Sequence, residues 1–482
     1  MTTLRIKIVT ILTAIVLFVL GCKSTEKTTP DKETALKYSK PIPESFSTEK
    51  DTVNMATIKW DVFYKDPNLK NLIEITLTNN YDLLIAMQKI EAVSSGIRLS
   101  KGASIPNLSI GGAVSQRKFG QYTMDGAGNA STEIRPGEIV PEHLPDFLVG
   151  FNASWEIDIW GKMHNKKKAA LARYSNSIEG KNAIQTALVS EVATTYFELL
   201  ALDREIEIVK ETIKLQQESL EIIKIKKEAG ILNELAVKQF EGQVLNSKSL
   251  EYEILQKITI NENKLNYLTG QFPKAIQRDK TQFNKSITDL IHAGIPSQLL
   301  QNRPDIRKAE MELVSSQCDL KSAKAAFYPS FTINATAGFQ AFQTALWFQS
   351  PESFAYNILG GLAMPLLNRS AIKAHFQTAK ANQTESLLNY QKTILNSYIE
   401  VSNELSNINN LEQLYQLKNQ EVNTYNLSTE IANDLFKSGR ATYLEVLTAQ
   451  RTALQSKIEL INAKKLQHHA TINLYRALGG GW

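Results

Sequence analysis

Apolar and polar positions repeat with two different periods along this chain, and the switch between them lays out its elements. Four runs alternate at period two. In the first, Leu108, Ile110, Gly112 and Val114 are interleaved with Asn107, Ser109, Gly111 and Ser115. The second sets Phe147, Val149, Phe151, Ala153, Trp155, Ile157 and Ile159 against Asp146, Asn152, Ser154, Glu156 and Asp158. The third sets Phe331, Ile333, Ala335, Ala337 and Phe339 against Ser330, Thr332, Asn334, Thr336 and Gln340. The fourth, less regular, sets Phe354, Tyr356, Ile358, Leu362 and Met364 against Ser353 and Asn357. Such alternation predicts strands at about 107–119, 146–160, 330–342 and 353–366, each with one face in an apolar medium and the other in water. Each run has about the length that a tilted strand needs to cross a bilayer.

Between the strands the period lengthens to that of a helix. From about Lys162 to Ala229 there is no proline, and Gly180 is the only glycine before the end. Apolar residues recur at three- and four-residue steps (Ile184, Leu188, Val192, Leu199, Leu202, Ile206, Val209, Ile213), a coiled-coil-like seam. At 1.5 Å per residue this predicts a rod of roughly 100 Å. The segment from about Ser370 to Ser438 repeats it, again without proline. Rods of that length must pack laterally against one another or against neighbouring copies.

The two rods belong to an internal duplication. Gly230 to Leu235 realigns with Gly439 to Leu444, and Gly270 with Gly479, at one common offset; Ser104-Ile-Pro106 realigns with Ala-Tyr328-Pro329 at a larger one. The offset shrinks because the second copy has a shorter excursion between its strands. Each half reads helix, strand, loop, strand, very long helix, glycine break, helix. The expected organisation is residues 1–21 as a signal peptide, 22–57 as a tether, 58–270 as the first repeat, 271–297 as a linker, and 298–482 as the second repeat.

The N-terminus changes the picture most. Arg5 and Lys7 precede an apolar run from Ile8 to Leu20, long enough for a secretion signal and too short for a helical span. It ends in Val19-Leu20-Gly21-Cys22, which reads as a lipobox with Cys22 as the acylated thiol. The second of the chain's two cysteines, Cys318, then has no intrachain partner and reads as packing. Residues after Cys22 are rich in Lys, Thr, Ser, Glu and Pro, without apolar periodicity, as suits a tether.

Composition excludes several classes. The chain has 482 residues, 43% of them apolar, and a formal charge of +5, too slight for a nucleic-acid binder. Only the N-terminal run is apolar over more than about ten residues, so a multi-pass helical transporter is excluded. His468 and His469 are adjacent and diverge on a helix, and no Cys-x-x-Cys, His-Glu-x-x-His or phosphate-cradling loop occurs. An enzyme is not expected, nor any cofactor beyond the lipid on Cys22. Arg303-Pro304-Asp305 reads as a helix start. A soluble sheet packed on helices would also alternate, but the long, Gly-rich, polar segment from Phe119 to Pro145 suits an outer loop of a membrane barrel. Four strands cannot close on themselves, and an open edge in lipid leaves backbone groups unpaired. Spanning strands therefore require two, three or more copies.

Five segments resemble a known family. They are Trp60 to Leu69, Trp155-Glu-Ile-Asp-Ile-Trp-Gly161-Lys, Pro296 to Ile306 with its Arg303-Pro304-Asp305-Ile306, Ala325-Ala-Phe-Tyr-Pro329-Ser, and the terminal Ala477-Leu-Gly-Gly-Gly-Trp482. The chain resembles the outer membrane factors, the TolC-like channels, and within them the efflux lipoproteins that serve resistance-nodulation-division (RND) pumps. The resemblance implies an α+β membrane protein: a homotrimer with four strands per chain in a 12-stranded β-barrel, and a periplasmic coiled-coil α-barrel. It implies location in the outer membrane, a periplasmic adaptor (membrane fusion) protein and an inner-membrane RND pump as partners, and passive export of small solutes. A type I protein exporter and, in a different class, a lipid-anchored periplasmic scaffold are the alternatives.

The same resemblance puts a gate where the long helices turn, at Gly230 and Gly439. Phe436 stands where relatives usually have a tyrosine, Thr448 and Ala236 where aspartates are common, and Glu445 at a family carboxylate position. Closure is therefore expected from packing near Leu444, with Glu445, Arg440, Thr448 and Glu234 as polar candidates.

Overall fold

The computed structural model describes residues 41–46, 53–287, 292–367 and 369–482. The signal peptide, Cys22 and most of the tether lie outside them. The chain divides into a sheet unit (residues 99–169 and 314–388) and a helical unit (41–98, 170–313 and 389–482).

The sheet unit holds β1 (Asn107–Lys118), β2 (His143–Ile157), β3 (Ser330–Ala341) and β4 (Phe354–Ala363), paired antiparallel in that order. The register keeps the alternating faces aligned across all four strands. Ile110 stands opposite Phe151, Phe151 opposite Ala337 and Ala337 opposite Tyr356, whereas Ser109, Asn152, Thr336 and Asn357 form a row on the other face. Two strands depart from expectation. β2 ends at Ile157 and not near 160, because Asp158 leaves the ladder to accept hydrogen bonds from the backbone N–H of Met163 (3.0 Å) and His164 (2.7 Å) at the next helix start. β4 ends at Ala363 and not near 366, where Pro365 follows and removes a ladder donor. The outer segment is also less irregular than expected: it contains a short helix, Met124–Asn129, and a small hairpin of Glu133–Arg135 with Glu138–Ile139. Gly150 and Gly338 face each other so closely that a Cβ on Gly338 would lie 2.2 Å from the Val149 carbonyl oxygen.

The longer helices are α1 (Pro67–Asn79), α2 (Tyr81–Gly102), α3 (Lys162–Glu228), α4 (Glu234–Leu268), α5 (Pro304–Ala325), α6 (Ser370–Lys437) and α7 (Tyr443–Ala477). The duplication is carried into their lengths: α2 and α5 have 22 residues each, α3 and α6 have 67 and 68, and α4 and α7 have 35 each. No described helix is long and apolar enough to cross a membrane.

The core of the helical unit gathers α1, α3, α4 and α7 around three fully buried tyrosines, Tyr64, Tyr196 and Tyr475. Two of the three are also tied down by hydrogen bonds. The Tyr196 hydroxyl donates to the Asp66 carboxylate at 2.6 Å, the Tyr475 hydroxyl donates to the Ile58 carbonyl at 2.6 Å, and the Phe63 ring stacks on Tyr475 at 4.0 Å. The segment between the repeats is strapped down by Arg278, which binds Asp203 on α3 and Glu262 on α4, and by Phe283, whose carbonyl lies 2.8 Å from His468 Nε2 on α7.

Arg303, expected only to mark a helix start, is a buried hub. Its guanidinium donates twice to Asp305 (3.0 and 2.8 Å), to Glu400 on α6 (2.8 Å), and to the Ala477 carbonyl at the end of α7. It therefore joins the start of the second repeat to the end of the chain. The Arg303 guanidinium in turn holds the Asp305 carboxyl below its usual range, against the upward push of burial. Cys318 is buried, as its reading as packing requires.

Candidate functional site

Two surfaces carry the functional argument. The first is the sheet. Leu108, Ile110, Val114, Phe151, Tyr356, Ile358 and Leu362 are all exposed on one face, a contiguous apolar surface that a monomer in water would not leave bare. The other face carries the Ser, Thr and Asn row, with Ser154 donating to Asn334 at 2.8 Å, and toward its ends the carboxylates of Glu156, opposite Thr332, and Asp146, which accepts from Gln340 at 2.9 Å. Aromatic rings cluster at both ends of the apolar face: Phe147 with Trp347 and Phe339 with Phe348 at the loop end, Trp160 stacked on Tyr328 at 4.8 Å at the helix end. Trp347 and Trp160 each spend their indole N–H on a backbone carbonyl, of Phe339 (3.1 Å) and Pro329 (2.7 Å), so the rings sit where one side is apolar and the other wet. Twelve residues of β3 rise about 37 Å, or about 28 Å across a layer at the ~40° tilt of membrane barrels. β1 and β4 are edges with no partner strand among the described residues.

The second surface is the pair of helix turns. Gly230 and Gly439 have φ of +73° and +75°, the left-handed conformation that ends a helix by letting the chain reverse. The N–H of Ile231 reaches back to the Lys226 carbonyl at 2.9 Å, and that of Arg440 to the Leu435 carbonyl at 2.8 Å. The following helices are then capped differently. Asn233 accepts from the Ala236 N–H at 3.1 Å. Thr442 forms a capping box with Glu445, whose carboxylate accepts from the Thr442 N–H at 2.6 Å.

The predicted gate residues separate into two groups. Glu445 is committed to its own helix start, and the Thr448 hydroxyl donates back to the Leu444 carbonyl at 2.8 Å. Glu234 stays on its own hairpin, paired with Lys227 (2.7 Å) and Lys238 (3.7 Å), and its hydrogen bond from Lys227 lowers its pKa. Leu444 and Arg440 remain exposed, and Arg440 forms no ion pair among the described residues. None of the polar candidates pairs with another from the opposite turn.

What joins the turns is Lys226, which the sequence reading missed. Its Nζ lies 3.8 Å from the centre of the Phe436 ring and donates to the Phe436 carbonyl at 3.2 Å. The phenyl ring, lacking the hydroxyl usual there, offers its face to a cation. Around this contact Leu220, Ile223, Val237, Phe240 and Val446 form one buried cluster with Phe436 and Leu447 packed on it, so the two hairpins share a core. A step further along, Gln450 donates to the Ser219 hydroxyl at 3.0 Å. Lys226 was illegible in the sequence because its partner is 210 positions away.

His468 is part of the packed core. His468 binds the Phe283 carbonyl and stacks on Phe197 at 4.4 Å, while burial pushes its pKa down to about 4. No cluster of metal-binding side chains occurs among the described residues.

Comparison with known proteins points to outer membrane efflux proteins. The family model described as outer membrane efflux protein matches residues 72–271 and 295–480. The cation efflux system protein CusC of Escherichia coli is 27% identical, over 92% of this chain and 93% of its own. The toluene efflux pump outer membrane protein TtgI of Pseudomonas putida is 27% identical over 92% of each. Among solved structures, one of CusC superposes with a TM-score of 0.79 at 25% identity, covering 92% of this chain and 99% of that one. A membrane protein from Pseudomonas aeruginosa reaches 0.82 at 24% identity, covering 92% of this chain and 97% of that one.

Proposed function

Since the chain belongs to the outer membrane efflux protein family, we propose that three copies join their sheets edge to edge into one twelve-stranded barrel through which solutes leave the periplasm. Its class is that of an efflux channel of the outer membrane. The observation that carries the finer reading is the sheet: a continuous exposed apolar face, aromatic rings at both ends and two edges unpaired among the described residues. An edge in lipid leaves unsatisfied N–H and C=O groups at several kcal/mol each, so β1 of one copy must pair with β4 of the next. The Ser, Thr and Asn row then lines the lumen. Its charged groups, Glu156 and Asp146, stand toward the ends of that row, and selection is assigned upstream, to an RND-type inner-membrane pump joined by a periplasmic adaptor.

The α-barrel made by α3, α4, α6 and α7 would close at the Gly230 and Gly439 turns. Leu444 and Arg440, exposed on the second turn, are the side chains available to meet a neighbouring copy there. Cys22 carries the lipid in this reading, and the residues after it tether the body to the membrane.

The test is physical. Purified full-length protein is expected to require detergent even as the Cys22→Ser variant, to cross-link as a trimer, and to give discrete conductance steps in planar bilayers. A Cys22→Ser protein that stays monomeric and soluble without detergent would leave the periplasmic scaffold as the better account.

A further inference from the structure

The four strand–helix junctions lie on one side of the sheet, because all four strands are antiparallel neighbours and the two hairpin segments occupy the other side. Charge is distributed unevenly between these two sides. Residues 99–106, 156–169, 319–329 and 364–375, at the junctions, hold nine Lys and Arg against three Asp and Glu. Residues 115–146 and 341–353, at the hairpins, hold three against six. A chain with a formal charge of only +5 thus concentrates +6 in one short band.

That band is not neutralised internally. Lys162 is paired with Glu156 at 2.9 Å, but Lys101, Lys166, Lys167, Lys168, Lys321 and Lys373 form no ion pair among the described residues, and all but the half-buried Lys167 are exposed. Lys166, Lys167 and Lys168 sit in the first two turns of α3, within about 9 Å of its start. Successive helix positions rotate by about 100°, so the three sweep about 200° and one points away from the lumen whatever the roll of the helix. They lie just past the Trp160–Tyr328 stack that marks the end of the apolar band.

Resting on the membrane-spanning reading of the sheet, we propose that this lysine band is a docking collar for anionic phospholipid headgroups of the periplasmic leaflet. The charge complements phosphate, the position is continuous with the lipid-facing surface, and flexible lysine stems suit a fluid headgroup layer better than a fixed partner. In a trimer the band repeats three times around the barrel and fixes its depth in the membrane.

The experiment measures binding of a fluorescent phosphatidylglycerol to the full-length protein in neutral detergent. Combined Lys166→Gln, Lys167→Gln and Lys168→Gln should weaken it by about tenfold or more. Arginine at the same three positions should preserve it, and Lys210→Gln with Lys214→Gln, further along α3, should leave it unchanged. Phosphatidylcholine should bind the parent and the triple glutamine variant equally. Unchanged phosphatidylglycerol binding in the triple variant overturns the proposal. So does competition by inorganic phosphate as effective as by the lipid, which makes the band a free-anion site, or a loss of trimer in the triple variant before any lipid is added, which makes the lysines a contact between copies. Failure of the underlying reading looks different: the parent would need no detergent at all.

Discussion

At the scale of single residues the tip of the helices changes most in meaning. Glu445 combines a charge with a helix cap, and the two roles separate by substitution. Glu445→Gln keeps a side-chain acceptor for the Thr442 N–H and removes the charge, whereas Glu445→Ala removes both. If the carboxylate serves only the cap, Glu445→Ala loosens the α7 start by about 1 kcal/mol and Glu445→Gln leaves conductance and cation selectivity as in the parent. A selectivity change in Glu445→Gln would restore the charged gate. Lys226 makes the opposite case, a residue acting between hairpins. Lys226→Gln loses the contact with the Phe436 face and most of the bond to its carbonyl, worth roughly 1–2 kcal/mol together. The mean open time or resting conductance in planar bilayers is expected to rise, while Lys224→Gln, two residues away and ion-paired with Glu221 on its own helix, leaves both unchanged.

The elements show why some motifs were readable and others were not. Strand alternation and proline-free helices are local signals, and the register then aligned the apolar faces of all four strands because a slip by one residue would turn each strand's apolar set into the lumen. The Asp158 cap was the local competitor that shortened β2, and its signal, an acid just before a helix start, was present but was counted into the alternation. The Arg303 segment was legible as a helix start and not as a hub, since Glu400 and the Ala477 carbonyl lie 97 and 174 positions away. Arg303→Ala removes the bonds to Asp305, Glu400 and the Ala477 carbonyl, but Asp305 is partly exposed and Glu400 keeps Arg476, so it is expected to cost about 1–3 kcal/mol, read as a lowered denaturation midpoint. Arg303→Lys recovers only part of it, because an ammonium cannot grip Asp305 with two parallel bonds while reaching Glu400.

For the whole molecule, the strap between the repeats makes stability depend on pH. His468 is held neutral with its pKa down at about 4 by burial, below the ~6.5 of a free imidazole. The unfolded chain therefore takes up the proton first. Stability from this group is complete above pH about 6.5 and falls as pH drops toward 4, by up to about 3 kcal/mol. His468→Gln, which can still donate to the Phe283 carbonyl, should flatten the stability–pH curve between those limits. A parent curve that is already flat there would show that the strap does not hold the histidine neutral.

The chain's own order of residues determined the period of each element and the apolar face that a barrel needs, because each is written in neighbours two to four positions apart, and it determined the duplication, because matched segments recur at a common offset. Even the need for more than one copy followed, from four strands that cannot close a barrel. Tertiary structure alone decided which distant groups became partners: Lys226 with Phe436, Arg303 with Glu400, and His468 with Phe283. Such pairings depend on where two distant helices come side by side within a few ångströms. No local period encodes that, since a lysine destined for an aromatic face and one destined for water occupy identical positions in the pattern.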